Sequence, residues 1–150
     1  MPHSPNISAR KSDHIELCIN GDVGFVQKTT LFEHIELVHD ALPELALSDI
    51  NLSTEFAGKT LAAPLVIAAM TGGTEVAETI NRDLAALAQK YGIGFAFGSQ
   101  RPLLTRGIEA GYRVRDVAPD ILILGNIGAV QARETSTARL REMIDRKSVV

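Results

Sequence analysis

Pro64-Leu65-Val66-Ile67-Ala68-Ala69-Met70-Thr71-Gly72-Gly73-Thr74 is the stretch on which the reading of this chain turns. From Pro64 to Met70 the run is apolar without interruption, as expected of a parallel strand covered on both faces. Thr71 to Thr74 then breaks it, and apolar residues return at Val76, Ile80, Leu84, Leu87 and Tyr91, the spacing of one helical stripe. Thr74 is placed to cap this helix, and Gly92 to end it in a left-handed conformation.

The unit recurs downstream. Ile93 to Phe97 reads as a second strand, followed by Gly98-Ser99-Gln100-Arg101 and a weaker helix containing Ile108, Tyr112 and Val117 that ends at Pro119. Ile121 to Leu124 reads as a third strand, followed by Gly125-Asn126-Ile127-Gly128, and Leu140, Met143 and Ile144 restore helical periodicity. The strands begin near Pro64, Ile93 and Ile121, 29 and then 28 residues apart, the length of a βα unit. Three such units fit a doubly wound sheet or a (β/α)8 barrel, and periodicity does not choose between them. In both, the three glycine-containing loops lie at the C-terminal ends of parallel strands, which is the functional edge.

Upstream of Leu61 the pattern is irregular. Met1 to Ile7 reads as a flexible arm, and His14 to Asn20 alternates Ile15, Leu17 and Ile19 as a short strand would, with Gly21 and Asp22 as its turn. Phe32 to Leu42 is ambiguous between helix and strand and is ended by Pro43.

The 150 residues are 45% hydrophobic and 22% charged, an ordinary globular composition. A net charge of −3 argues against nucleic acid as the main partner, though a small anion needs only local cations. Cys18 is the single cysteine and reads as a small hydrophobe in a reducing compartment. No run approaches the roughly 18 apolar residues of a membrane span, and Met1 to Asp13 lacks the apolar segment of a signal peptide. A soluble, cytoplasmic protein with no membrane partner is the expectation.

The loops carry the candidate chemistry. Gly72 and Gly73 allow close backbone approach to a flat ring or phosphate, although tight turns use glycine too, and the loop is not a dinucleotide fingerprint. Ser99, Gln100 and Arg101 offer a hydroxyl, an amide and a guanidinium suited to an anionic or heteroaromatic ligand. Asn126 holds the equivalent place on the third strand, where it could equally cap the next helix. Arg10-Lys11, with Asp13 and His14, forms a basic cluster able to hold phosphate oxygens, although adjacent cations on an arm are usually just solvated. His34 and His39 lie near Glu33 and Glu36, but no Cys/His metal spacing or nucleophile motif is present. The residues alone describe an anion-binding βα protein and point to an enzyme.

Arg10-Lys11-Ser12-Asp13-His14-Ile15, Asp49-Ile50-Asn51-Leu52-Ser53, Ala69-Met70-Thr71-Gly72-Gly73, Gly98-Ser99-Gln100-Arg101 and Asn126-Ile127-Gly128 occur in that order. The series resembles type 2 isopentenyl-diphosphate isomerase from about Arg10 to Ile144. The resemblance implies an α/β fold: a (β/α)8 TIM barrel, of which residues 61–144 would be the first three βα units and residues 1–60 an N-terminal arm and irregular segment. It implies that Arg10, Lys11 and His14 serve the substrate diphosphate, as do Ser99, Gln100 and Arg101. Ala68, Ala69, Met70 and Thr71 would line the FMN isoalloxazine, with Ser99 and Asn126 contacting the same cofactor. It further implies interconversion of isopentenyl and dimethylallyl diphosphates with reduced FMN and Mg²⁺, with NAD(P)H as reductant, in a homo-oligomer.

The sequence departs from that family in extent. A full barrel takes about 250 residues and eight strands. The family's His-x-Asn-Pro-x-Gln-Glu segment with its Mg²⁺-binding Glu has no counterpart here, nor do the late loops that bind the FMN phosphate. No catalytic residue or metal ligand is assigned, and the chain as given is expected to be inactive and to aggregate or stay partly unfolded. Asp145-Arg146-Lys147-Ser148-Val149-Val150 reads as an artefactual tail, of the kind read-through into a sequencing adaptor leaves. The alternatives are another FMN-dependent barrel, such as an oxidoreductase of 2-hydroxy acids, and a non-catalytic fragment completed by a complementary chain.

Overall fold

The computed structural model describes residues 7–145, with side chains described over 13–144. They divide into two compact units between Asn51 and Leu52.

In the first unit, helix α1 spans Ile7–Asn20. This overturns the strand expected over His14 to Asn20. A lone strand leaves its backbone groups unpaired, whereas a helix satisfies them within itself, and no strand of this unit is available as a partner among the described residues. The half-buried positions are Ile15 and Cys18, three apart, while Leu17 and Ile19 are exposed; the alternation is a coincidence of short apolar spacing. Gly21 ends a helix and not a strand: its N–H donates to the Leu17 carbonyl at 2.9 Å, a helical i−4 bond, and Gly24 N–H donates to Asp22 Oδ1 at 3.3 Å. Phe32 to Leu42 resolves into a single 3₁₀ turn, Phe32–His34, and irregular backbone.

The second unit opens with a hairpin, β1 (Thr54–Phe56) and β2 (Lys59–Leu61), paired antiparallel with Thr54 opposite Leu61. Ala57 and Gly58 both have positive φ, 48° and 76°, the signature of a two-residue turn matched to strand twist. Sequence pattern alone leaves this segment irregular.

Strands β3 (Val66–Ile67), β4 (Gly94–Ala96) and β5 (Ile123–Leu124) then form a parallel sheet in chain order. Ile67 pairs with Phe95, and Phe95 with Ile123. All three strands fall where the apolar runs predict them; each is shorter than its run. The chain is thus a mixed α/β protein with a parallel-strand core.

Helix α2 (Glu75–Tyr91) links β3 to β4. The Thr74 side chain accepts from Ala77 N–H at 3.2 Å, and Gly92 ends the helix at φ 63°, as expected. Its buried face is different from the expected stripe: Ala77, Asn81, Ala85 and Ala88 are buried, while Val76, Leu87 and Tyr91 are exposed. Small side chains let the helix lie close over the sheet, where Phe95, Phe97 and Tyr112 stack edge-to-face with centroids 5.2 and 5.7 Å apart. These rings fill the space that larger helix residues would have needed.

The second helix lies earlier than its apolar spacing predicts. Helix α3 is Arg101–Arg106, begun by Pro102 in its first turn and ended by Gly107. Ile108 and Tyr112 lie in irregular backbone and Val117 in a turn instead, because the Gly107 terminus stops the helix before them. The bidentate pair of Arg82 with Asp116 (3.0 and 2.6 Å) fastens these turns to α2 and holds the Asp116 carboxyl below its ordinary range. The closing periodicity becomes α4 (Ala129–Glu134) and α5 (Thr137–Asp145), with Met143 buried and α5 packed on α3. Residues 146–150, most of the expected tail, lie outside the described residues.

Truncating the central ring, Phe97→Ala, is expected to destabilise the fold by about 3–5 kcal/mol, and removing the cap, Thr74→Ala, by about 1 kcal/mol. Urea unfolding followed by circular dichroism ranks the two; an equal effect would contradict the aromatic core.

Candidate functional site at the C-terminal ends of the strands

The three strand-end loops meet through backbone and buried polar groups. Gly98 N–H donates to the Thr71 carbonyl at 3.1 Å. A side chain at Gly98 would bring a Cβ to 2.6 Å from both Thr71 N and Thr71 O, so only glycine permits the β3 and β4 ends to come this close. One loop further, Gln100 N–H donates to the Asn126 carbonyl at 2.8 Å, and Asn126 N–H returns a bond to Gln100 Oε1 at 3.1 Å.

Two residues that sequence reasoning does not assign to the site hold this edge from beneath. Asn81, buried on α2, donates to the Thr71 carbonyl (3.2 Å) and the Gly111 carbonyl (2.7 Å). Tyr112, 1% exposed, donates its hydroxyl to the Ser99 carbonyl at 2.8 Å. Its ring lies so close to Gly72 that a Cβ there would come within 2.5 Å. Burial pushes the Tyr112 phenol well above its ordinary range. A signal for Asn81 exists in the sequence, one amide among alanines on a helical face. That for Tyr112 is hidden by the helix expected around it.

The structure therefore brings together Thr71, Ser99, Gln100 and Asn126. Thr71 and Gln100 are buried, Ser99 is half-buried, and Ala68, Ala69, Met70, Arg101 and Asn126 are exposed. Asn126 does not cap the following helix, since Gly128 occupies that position. Arg10 and Lys11 lie in α1 of the first unit with their side chains outside the described residues, and His14 of the same helix is exposed. His34 stands 4.0 Å from Glu33 on an exposed turn. Among the described residues, no group of three or more His, Cys, Asp or Glu side chains is placed to hold a metal ion, and no helix is long and apolar enough to cross a membrane.

A family model described as FMN-dependent dehydrogenase matches residues 4–115. The chain belongs to that family. It is 50% identical over 129 residues to an isopentenyl-diphosphate delta-isomerase of Mycobacterium marinum, covering 83% of this chain and 37% of the relative. Against the enzyme of the same name from Synechococcus it is 43% identical over 143 residues, covering 94% and 41%, and against that of Rickettsia akari 47% over 133 residues, covering 87% and 39%. The resemblance carried by the ordered motifs is borne out. The chain spans about two-fifths of the length of these curated relatives.

A phenol raised above its ordinary value stays protonated in the folded chain after the unfolded chain has lost its proton, so stability falls as pH rises past about 10. Tyr112→Phe is expected to lower the thermal midpoint near neutrality by loss of the Ser99 bond and to flatten its decline above about pH 10. Parallel alkaline declines in the two proteins would refute the assignment.

Proposed function

We propose that this chain supplies the first three βα units of an FMN-dependent (β/α)8 isomerase that interconverts isopentenyl and dimethylallyl diphosphates. The observation that carries the reading is the joining of three glycine-containing strand-end loops into one edge, Thr71 to Gly98 and Gln100 to Asn126. The relatives' names supply the substrate class.

Ala68, Ala69, Met70 and Thr71 would flank the flavin ring, and Ser99 and Asn126 would hydrogen-bond it. Reduced FMN, when bound, supplies the acid and base that move the allylic proton, with NAD(P)H as the source of reducing equivalents. Arg10 and Lys11, with His14, would hold the diphosphate, Arg as a fork and Lys as a point charge, and Ser99 and Arg101 are the anion-binding groups offered by the second strand-end loop. Fixing the diphosphate fixes the alkene at the other end of the substrate, and orientation is the chain's main contribution, since an unactivated alkene has no acidic group to assist it. Among the described residues no group of three or more His, Cys, Asp or Glu side chains gathers that could hold Mg²⁺. The isolated chain is inactive in this reading, and the complete enzyme is a homo-oligomer. The family model's description as a dehydrogenase favours a second reading, oxidation of a 2-hydroxy acid by the same flavin edge.

Joining this chain in frame to the remaining portion of the Mycobacterium marinum isomerase tests the proposal. The hybrid should bind FMN and isomerise isopentenyl diphosphate when the flavin is reduced. An Arg10→Ala/Lys11→Ala variant should raise KM on the order of a hundredfold, from two lost charge-assisted contacts. The 150-residue chain alone should show no turnover. A flavin-loaded hybrid that oxidises 2-hydroxy acids and leaves isopentenyl diphosphate unchanged would replace this reading with the second.

A further inference from the structure

The hydrogen-bond ladder of β4 and β5 runs on past both strand ends and becomes irregular at the proposed flavin edge. Phe95 N–H donates to the Leu122 carbonyl and Phe97 N–H to the Leu124 carbonyl, both at 2.9 Å. The next acceptor in that series, the Asn126 carbonyl, is reached by Gln100 rather than by residue 99. The β4 side therefore carries one residue more than the β5 side, which is the count of a β-bulge. In regular parallel pairing the Asn126 N–H would bond the Phe97 carbonyl; here it bonds Gln100 Oε1 at 3.1 Å. The side-chain amide replaces a backbone acceptor across the bulge.

We infer that Gln100 is a positioning residue that closes this bulge, setting Asn126 and Ser99 for the flavin, and does not itself touch the diphosphate. The inference rests on the proposed function for the roles of Asn126 and Ser99, and it revises the expectation that Gln100 binds substrate. Gln100 is 0% exposed, which leaves its side chain no surface for a ligand. Its Nε2 has no hydrogen-bond partner among the described residues, a burden that a methionine of similar length would not carry. The compensating gain is the acceptor offered to Asn126. The extra residue frees Ser99 from the ladder, and the Tyr112 hydroxyl takes up its carbonyl.

The test is amide hydrogen exchange by NMR on the full chain, with Gln100→Met and Gln100→Glu. In the unaltered chain the Asn126 amide should be protected. Gln100→Met should speed its exchange about tenfold while Phe95 and Ile123 amides keep theirs. Gln100→Glu, which retains an acceptor, should restore protection. If Gln100→Met fails to fold, a through-hydrogen-bond coupling from Asn126 N to the Gln100 side-chain carbonyl in the unaltered chain decides the matter. An unprotected Asn126 amide, no coupling, or no change in Gln100→Met overturns the inference. Titrations of the hybrid described above with FMN and with inorganic pyrophosphate separate the two roles: Gln100→Met should weaken FMN several-fold and leave pyrophosphate unchanged. A matching loss of pyrophosphate affinity would make Gln100 an anion contact and overturn the inference. Failure of the hybrid with unaltered Gln100 to bind FMN would count against the proposed function alone, and exchange at Asn126 would still decide whether Gln100 closes the bulge.

Discussion

The approach of the β3 and β4 ends, with the Gly98 N–H on the Thr71 carbonyl, is the constraint on which the rest of the second unit depends. It requires a residue without a side chain at 98, since a Cβ would lie 2.6 Å from backbone atoms of Thr71. It also requires a flat support beneath, which Phe95, Phe97 and Tyr112 provide as an edge-to-face column under α2. The alanines at 77, 85 and 88 follow from this packing: the aromatic column occupies the volume between helix and sheet, so the helix presents its smallest side chains there.

Rigidity at the functional edge comes from buried polar groups. Asn81 joins the first loop to the turn at Gly111, Tyr112 joins that turn to Ser99, and Gln100 joins the second loop to the third. In an interior of low dielectric such bonds are strong when complete and costly when broken, so each loop is held in one geometry. The exposed residues of the proposed site, Ala68, Ala69, Met70, Arg101 and Asn126, are carried on this frame. A flavin or diphosphate would then meet groups already in place, which is how a site of few contacts achieves orientation.

Much of this is legible in the sequence. The apolar run from Pro64, the caps at Thr74 and Gly92, and the repeat of strand and glycine loop each rest on local rules of periodicity and backbone conformation. They hold in the structure because nothing distant opposes them. The ordered motifs around Arg10, Thr71, Ser99 and Asn126 carry the family. The failures have equally local causes. Ile15, Leu17 and Ile19 are too few to distinguish a period of two from one of three or four. Gly107 is an inconspicuous helix terminus, and overlooking it places Tyr112 in a helix that does not exist. The hairpin at Ala57-Gly58 has only one glycine to announce it.

The sequence by itself determined the parallel strands, their order of appearance and the loops that end them, because strand period, helix caps and glycine turns are decided by neighbours within a few positions. Only the tertiary structure decided which face of α2 is buried and which groups tie the edge together. Those outcomes depend on the volume left by an aromatic column and on partners 10, 13, 26 and 30 positions away for Asn81, Tyr112 and Gln100. No window of local sequence contains them.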